Sequence, residues 1–116
     1  MQALYVVGAQ AFQVKRSAVA ALASGNVTLV AAVSGMKIRV ISLTISITTA
    51  AAVIVQTGAG GTALLPTINA TGVFHFPENE GGLCETAAGA LLNVNSGAAI
   101  VGTAQCTYAE VPVAID

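Results

Sequence analysis

The segment from Lys37 to Thr48 constrains this chain more than any other feature. Its apolar side chains fall at Ile38 and Val40, then at Ile41, Leu43, Ile45 and Ile47. A repeat of two is the signature of a β-strand, because successive side chains point to opposite faces. The phase changes from even to odd positions at Val40-Ile41. Such a change needs a bulge, a bend or a fully buried stretch, and a β-bulge is predicted there. The other face carries Ser42, Thr44 and Ser46, which are uncharged and suit either water or a packed neighbour.

Similar short runs recur along the chain. Val27 to Val33 is β-rich and ends at Ser34-Gly35. Thr49-Ala50-Ala51 reads as a hairpin link into Ala52 to Thr57, which stops at Gly58-Ala59-Gly60-Gly61. Thr62 to Leu65 is closed by Pro66, and Val73 to Phe76 by Pro77. Leu91 to Asn95 turns at Asn95-Ser96-Gly97. The last run, Gly102 to Val111, sets Ala104, Cys106 and Tyr108 on one face and Thr103, Gln105 and Thr107 on the other. Helix competes only over Ser17 to Ala23 and Thr86 to Leu92, both short. The reading is an all-β chain, a jelly roll or β-sandwich of about seven to nine short antiparallel strands. Residues 27–116 form that jelly-roll domain. Residues 1–26, with weak periodicity, form an extended N-terminal arm or an edge strand starting at Leu4 to Val7.

Composition turns this fold into a question about partners. The chain has 116 residues, 55% of them hydrophobic and 8% charged, with a net charge of -1. Disorder is excluded by the hydrophobicity, and phosphate binding is disfavoured by four basic residues against five acidic ones. A domain of this size leaves roughly a third of its unfolded surface exposed. With so few charges, that surface is covered by Ser, Thr, Asn, Gln and Gly or by other chains, and an oligomer or particle-bound subunit is the favoured expectation. No apolar run approaches the ~20 residues of a spanning helix. With aromatics at 4% and no Trp, the girdles of a membrane barrel are missing too. Neither Leu4 to Ala9 nor the stretch after Lys15-Arg16 fits a signal peptide.

Reactive groups are few. His75, the single histidine, lies between Phe74 and Phe76, so alternation turns it away from them toward solvent or an interface. His75, Glu78, Glu80 and Cys84 could be drawn as a metal site, but Gly81-Gly82 favours a solvated acidic loop. Cys84 and Cys106 are read as two free buried thiols, with a disulfide across adjacent strands as the alternative. Asn26-Val27-Thr28 and Asn69-Ala70-Thr71 read as chance glycosylation triplets. Lys37 and Arg39 share a strand face, read as a solvated patch with a partner's carboxylate as the alternative. No catalytic residue, cofactor or metal ligand is expected.

Three segments carry a resemblance: Met36-Lys37-Ile38-Arg39-Val40-Ile41-Ser42-Leu43; Glu85-Thr86-Ala87-Ala88-Gly89 leading into Leu91-Leu92-Asn93-Val94-Asn95; and Cys106-Thr107-Tyr108-Ala109-Glu110-Val111. Over roughly Val27 to Val111 the chain resembles small jelly-roll decoration (cement) proteins of tailed-bacteriophage capsids. Leu83-Cys84 stands where that resemblance leads one to expect an aromatic. The resemblance implies a structural virion protein, not an enzyme, that forms a homo-oligomer, a trimer, on the capsid surface and stabilises contacts between major capsid protein subunits. It implies neither nucleic acid nor membrane as partner. On this reading Leu4, Tyr5, Val6, Phe12, Lys15 and Arg16 form the arm that reaches capsid or neighbour, and Ile41, Leu43, Ile45, Ile47 and Tyr108 lie at the trimer interface. The alternative is a tail-fibre or spike β-domain binding a host glycan through the Glu78 to Gly82 loop, with Tyr5, Phe12, Phe74, Phe76 and Tyr108 as the available aromatics. A small hydrolase built on His75 is the third and least favoured reading.

Overall fold

The computed structural model describes residues 4–7, 10–49, 52–78, 82–97 and 102–112, with side chains described from Gln13 onward. Twelve strands follow one another, and no helix occurs among the described residues. They are β1 (Leu4–Val7), β2 (Gln10–Gln13), β3 (Lys15–Arg16), β4 (Ala20–Ala21), β5 (Gly25–Val30), β6 (Met36–Ile47), β7 (Val53–Thr57), β8 (Thr62–Ala63), β9 (Gly72–Phe76), β10 (Cys84–Glu85), β11 (Leu92–Ser96) and β12 (Gly102–Pro112). Strands β3 to β12 make a two-sheet antiparallel sandwich, while β1 and β2 pair with each other.

The long strands β6 and β12 form the centre of the six-stranded sheet. Along the free side of β12 run β3 and then β4, and along the free side of β6 run β9 and then β10. Each flank is thus an interrupted strand. The second sheet has the order β5-β11-β7-β8. The hairpin expected through Thr49-Ala50-Ala51 is corrected, because β6 and β7 lie in different sheets and do not pair; Ala50 and Ala51 lie outside the described residues. The segment expected to compete for helix at Ser17 to Ala23 holds β4, and pairing with β12 outweighs the helix preference of Ala and Leu. Residues 15–26, grouped above with the arm, hold β3, β4 and the start of β5.

The bulge lies where the alternation placed it. Ser42 pairs with Thr107 and Val40 with Tyr108, which leaves Ile41 as the inserted residue. One face therefore keeps Ile38, Val40, Leu43, Ile45 and Ile47 inside, packed with Leu29, Val30, Val53, Val55, Leu92 and Val94 of the other sheet and Ala104 and Cys106 of β12. Burying such aliphatic side chains is worth about 1.5–3 kcal/mol each. Ile41 turns to the opposite face and joins Ala109, Val111 and Val14 in a second, smaller cluster.

Glu85-Thr86-Ala87-Ala88-Gly89 prolongs the β10 flank along β6. The amide of Thr86 donates to the Ile38 carbonyl at 3.0 Å, and the Thr86 hydroxyl accepts from the Ile38 amide at 3.0 Å. Gly89 donates to the Met36 carbonyl at 2.8 Å from a left-handed conformation, φ +70°, that suits glycine. Gly82 also has positive φ, and a Cβ there would meet the Arg39 side chain at 2.7 Å.

Candidate functional site

The outward face of the six-stranded sheet gathers most of the residues with hydrogen-bonding capacity to offer a partner. Strand register sets them in rows. Arg16, Thr107 and Ser42 form one row, Gln105, Thr44 and His75 the next, and Ala21, Thr103, Ser46 and Val73 the third. Neighbours in a row stand about 4.8 Å apart, and rows about 6.8 Å apart. The Ser42 and Thr107 hydroxyls are 2.5 Å apart, and Thr44 Oγ1 is 2.8 Å from His75 Nδ1. Gln105 Nε2 donates to the Ser17 carbonyl at 3.1 Å. An open cleft of about 210 Å³ is lined by Arg16, Ser42, Thr44, Gln105, Cys106 and Thr107. Its groups suit hydrogen bonding to a polar partner. Thr44 beside His75 is a fragment of a nucleophile-base pair, yet no described carboxylate orients the imidazole.

Lys37 and Arg39 are corrected from a solvated patch to an intramolecular ion cluster. Register sets Glu85 directly opposite Arg39. Arg39 Nε and Nη2 donate to Glu85 Oε2 at 2.9 and 2.6 Å, and Lys37 Nζ lies 3.4 Å from Oε1. Lys15 pairs with Glu110 at 2.5 Å, and that hydrogen bond holds its ammonium pKa above the ordinary range. Arg16 has no such partner among the described residues.

The four-stranded sheet uses its polar residues differently. Asn93 has no exposed surface, and its Nδ2 donates to Asn26 Oδ1 and Gln56 Oε1, both at 2.9 Å. Asn95 Nδ2 adds a bond to Asn26 Oδ1 at 2.8 Å. Asn93 Oδ1 and Ser96 Oγ are buried without a described partner.

Both cysteines are free. Cys84 sits on β10 and Cys106 on β12, with β6 between them, so the adjacent-strand disulfide is ruled out by a gap of two strand spacings, about 9.6 Å. Burial pushes the Cys84 thiol up to about 11 and the Cys106 thiol up to about 12. These are packed, protonated groups rather than nucleophiles. No cluster of three metal-ligating side chains occurs among the described residues; Glu80 lies outside them.

Of the five residues expected at a trimer interface, four are buried in the chain's own packing. Leu43, Ile45 and Ile47 are at most 2% exposed within one protomer's core, and Ile41 is 2% exposed in the second cluster. Tyr108 packs against the main core, where burial raises its phenol pKa. Ile41, Leu43, Ile45 and Ile47 thus have almost no surface to offer another chain, whereas Tyr108 is only half-buried and keeps some. Phe74 and Phe76 also pack on the core, leaving His75 outward as expected. Of the arm residues, Leu4, Tyr5, Val6 and Phe12 have described strand pairing only, with Tyr5 opposite Phe12. Their side chains lie outside what is described. Lys15 and Arg16 belong to β3. The sequence missed the ion cluster and the amide cluster, whose members are far apart in the chain. The Ser/Thr alternation of β6 was the signal that marked the polar face.

No helix among the described residues is long and apolar enough to cross a membrane. No family model, curated protein or solved structure matches the chain.

Proposed function

We propose that the protein is a structural virion subunit, a decoration protein that self-associates on the head of a tailed bacteriophage and ties major capsid subunits together. The observation that carries this reading is the character of the polar face. On the outward face of the six-stranded sheet, Ser42, Thr44, Ser46, Thr103, Gln105 and Thr107 present hydroxyls and an amide. The cations Lys15, Lys37 and Arg39 are already matched to carboxylates of their own chain. Neutral hydroxyls and amides cost less to bring out of water than charges do, and a partner surface that returns their hydrogen bonds offsets that cost.

Strand order supports a jelly roll as the finer fold. With β3/β4 and β9/β10 each taken as one interrupted strand, the four-strand layers β3/β4-β12-β6-β9/β10 and β5-β11-β7-β8 face each other, and the chain changes layer at every step except β7 to β8. On this reading the protein acts by contact alone, three copies together, without catalysis.

The experiment is co-sedimentation of the purified protein with phage heads that lack their decoration protein. Saturable binding that raises the heads' thermal stability is the expected result, and absence of binding overturns the reading. The cleft at Arg16 and Gln105 favours a second reading, a fibre domain that hydrogen-bonds a host glycan. With Phe74 and Phe76 turned inward, that cleft gains no stacking ring from β9. Glycan-array binding by the isolated protein distinguishes the two.

A further inference from the structure

We propose that the two flanks of the six-stranded sheet are complementary, and that the β3/β4 flank of one copy joins the β9 flank of a second copy. This rests on the assembly reading above and names its interface.

Each flank carries one charge with no partner among the described residues and one exposed valine. On the β3/β4 flank these are Arg16 and Val19, the valine 61% exposed; on the other they are Glu78, two residues beyond β9, and Val73, 71% exposed. Val19 and Val73 are the large hydrophobics exposed among the described residues. The remaining described charges, Lys15, Lys37, Arg39, Glu85 and Glu110, are engaged within the chain. No described strand pairs the outer side of β3, β4 or β9.

The levels along the sheet also match. Through Thr107, Arg16 stands level with Ser42, and Glu78 follows Phe76, which pairs with Leu43. Val19 precedes Ala20, which through Ala104 stands level with Ile45, and Val73 pairs with Ser46. Both charges therefore lie toward the bulge and both valines toward the other end. Successive antiparallel pairings make β3 run opposite to β9. A rotation about an axis along the strands brings one copy's β3 beside the next copy's β9 in antiparallel order, with Arg16 near Glu78 and Val19 near Val73. Such a contact is heterologous and closes into a ring where the rotation allows.

The test is solution mass by light scattering over a hundredfold dilution, on the full chain and on charge variants. Arg16→Glu and Glu78→Arg should each raise the dissociation concentration about tenfold or more, and the double variant should restore it. Both sites are exposed, so thermal unfolding of each variant serves as a folding control. Mixing Val19→Cys with Val73→Cys protein under oxidation should give a disulfide-linked mixed dimer, whereas a symmetric contact would link Val73→Cys to itself. Wild-type oligomers that the single charge variants leave unchanged, or a double variant that fails to recover, overturn this interface while leaving the decoration reading standing. A chain that stays monomeric overturns the interface too, and head binding then decides the decoration reading separately.

Discussion

The two sheets put uncharged polar residues on their outward faces and use them in opposite ways. On the four-stranded sheet Asn26, Gln56, Asn93 and Asn95 bond to one another, and Asn93 is fully buried. On the six-stranded sheet Thr103 and His75 remain exposed, and Thr44, Ser46 and Gln105 are half-buried. The same class of side chain is a structural fastening on one layer and available surface on the other. Neighbouring strands engage polar groups on both layers, as Ser42 with Thr107 and Thr44 with His75 show; what separates the layers is burial, complete at Asn93 and only partial or absent across the six-stranded face.

Substitutions can break or sharpen this contrast. The largest effect belongs to the core that both sheets share: Ile45→Ala should cost about 2–5 kcal/mol in urea unfolding and melt both layers in one transition. Separate transitions for the two layers would deny that they form one unit. Asn93→Ala comes next, at about 1–3 kcal/mol, because it strips the donor from the buried Gln56 acceptor, while the exposed Asn26 keeps its bond from Asn95. Glu85→Gln should cost about 1 kcal/mol, since Arg39 is only 11% exposed but Glu85 is 30% exposed and partly screened. Thr103→Ala on the open face should stay within about 0.5 kcal/mol. An Asn93 variant as mild as the Thr103 variant would erase the distinction between the faces.

The smallest effect at neutral pH concerns the thiols. Both cysteines are raised from an ordinary value of 9.0, to about 11 and about 12, chiefly by burial. The unfolded chain thus loses thiol protons first, so this contribution is intact below about pH 9 and is lost as pH rises toward 12. The raised Tyr108 and Lys15 act in the same direction. Urea midpoints should therefore fall on the alkaline side, and replacing Cys106 with Ala should flatten the fall.

Much of the fold was legible because β6 writes its burial into its spelling. The bulge at Ile41 follows from two alternating runs out of phase, and the inward set of β12 from Ala104, Cys106 and Tyr108. The two-residue strands β3, β4 and β10 were not legible, since pairs that short carry no period and exist only where a long partner offers an edge. The burial of Leu43, Ile45 and Ile47 within the chain's own core was not legible either. Alternation tells which residues share a face, but with Ser and Thr opposite them it cannot say whether the apolar face meets its own second sheet or another chain. Glu85 was read as part of a turn because its partners are 46 and 48 residues away in the chain.

We propose that this charge-poor sandwich joins copies of itself. Light scattering of the wild-type protein across a hundredfold dilution tests it most directly. A mass that stays at a fixed multiple of 11.5 kDa is the result the account requires. A single 11.5 kDa species at every concentration would contradict it, and would mean that hydroxyl and amide side chains alone keep the surface soluble.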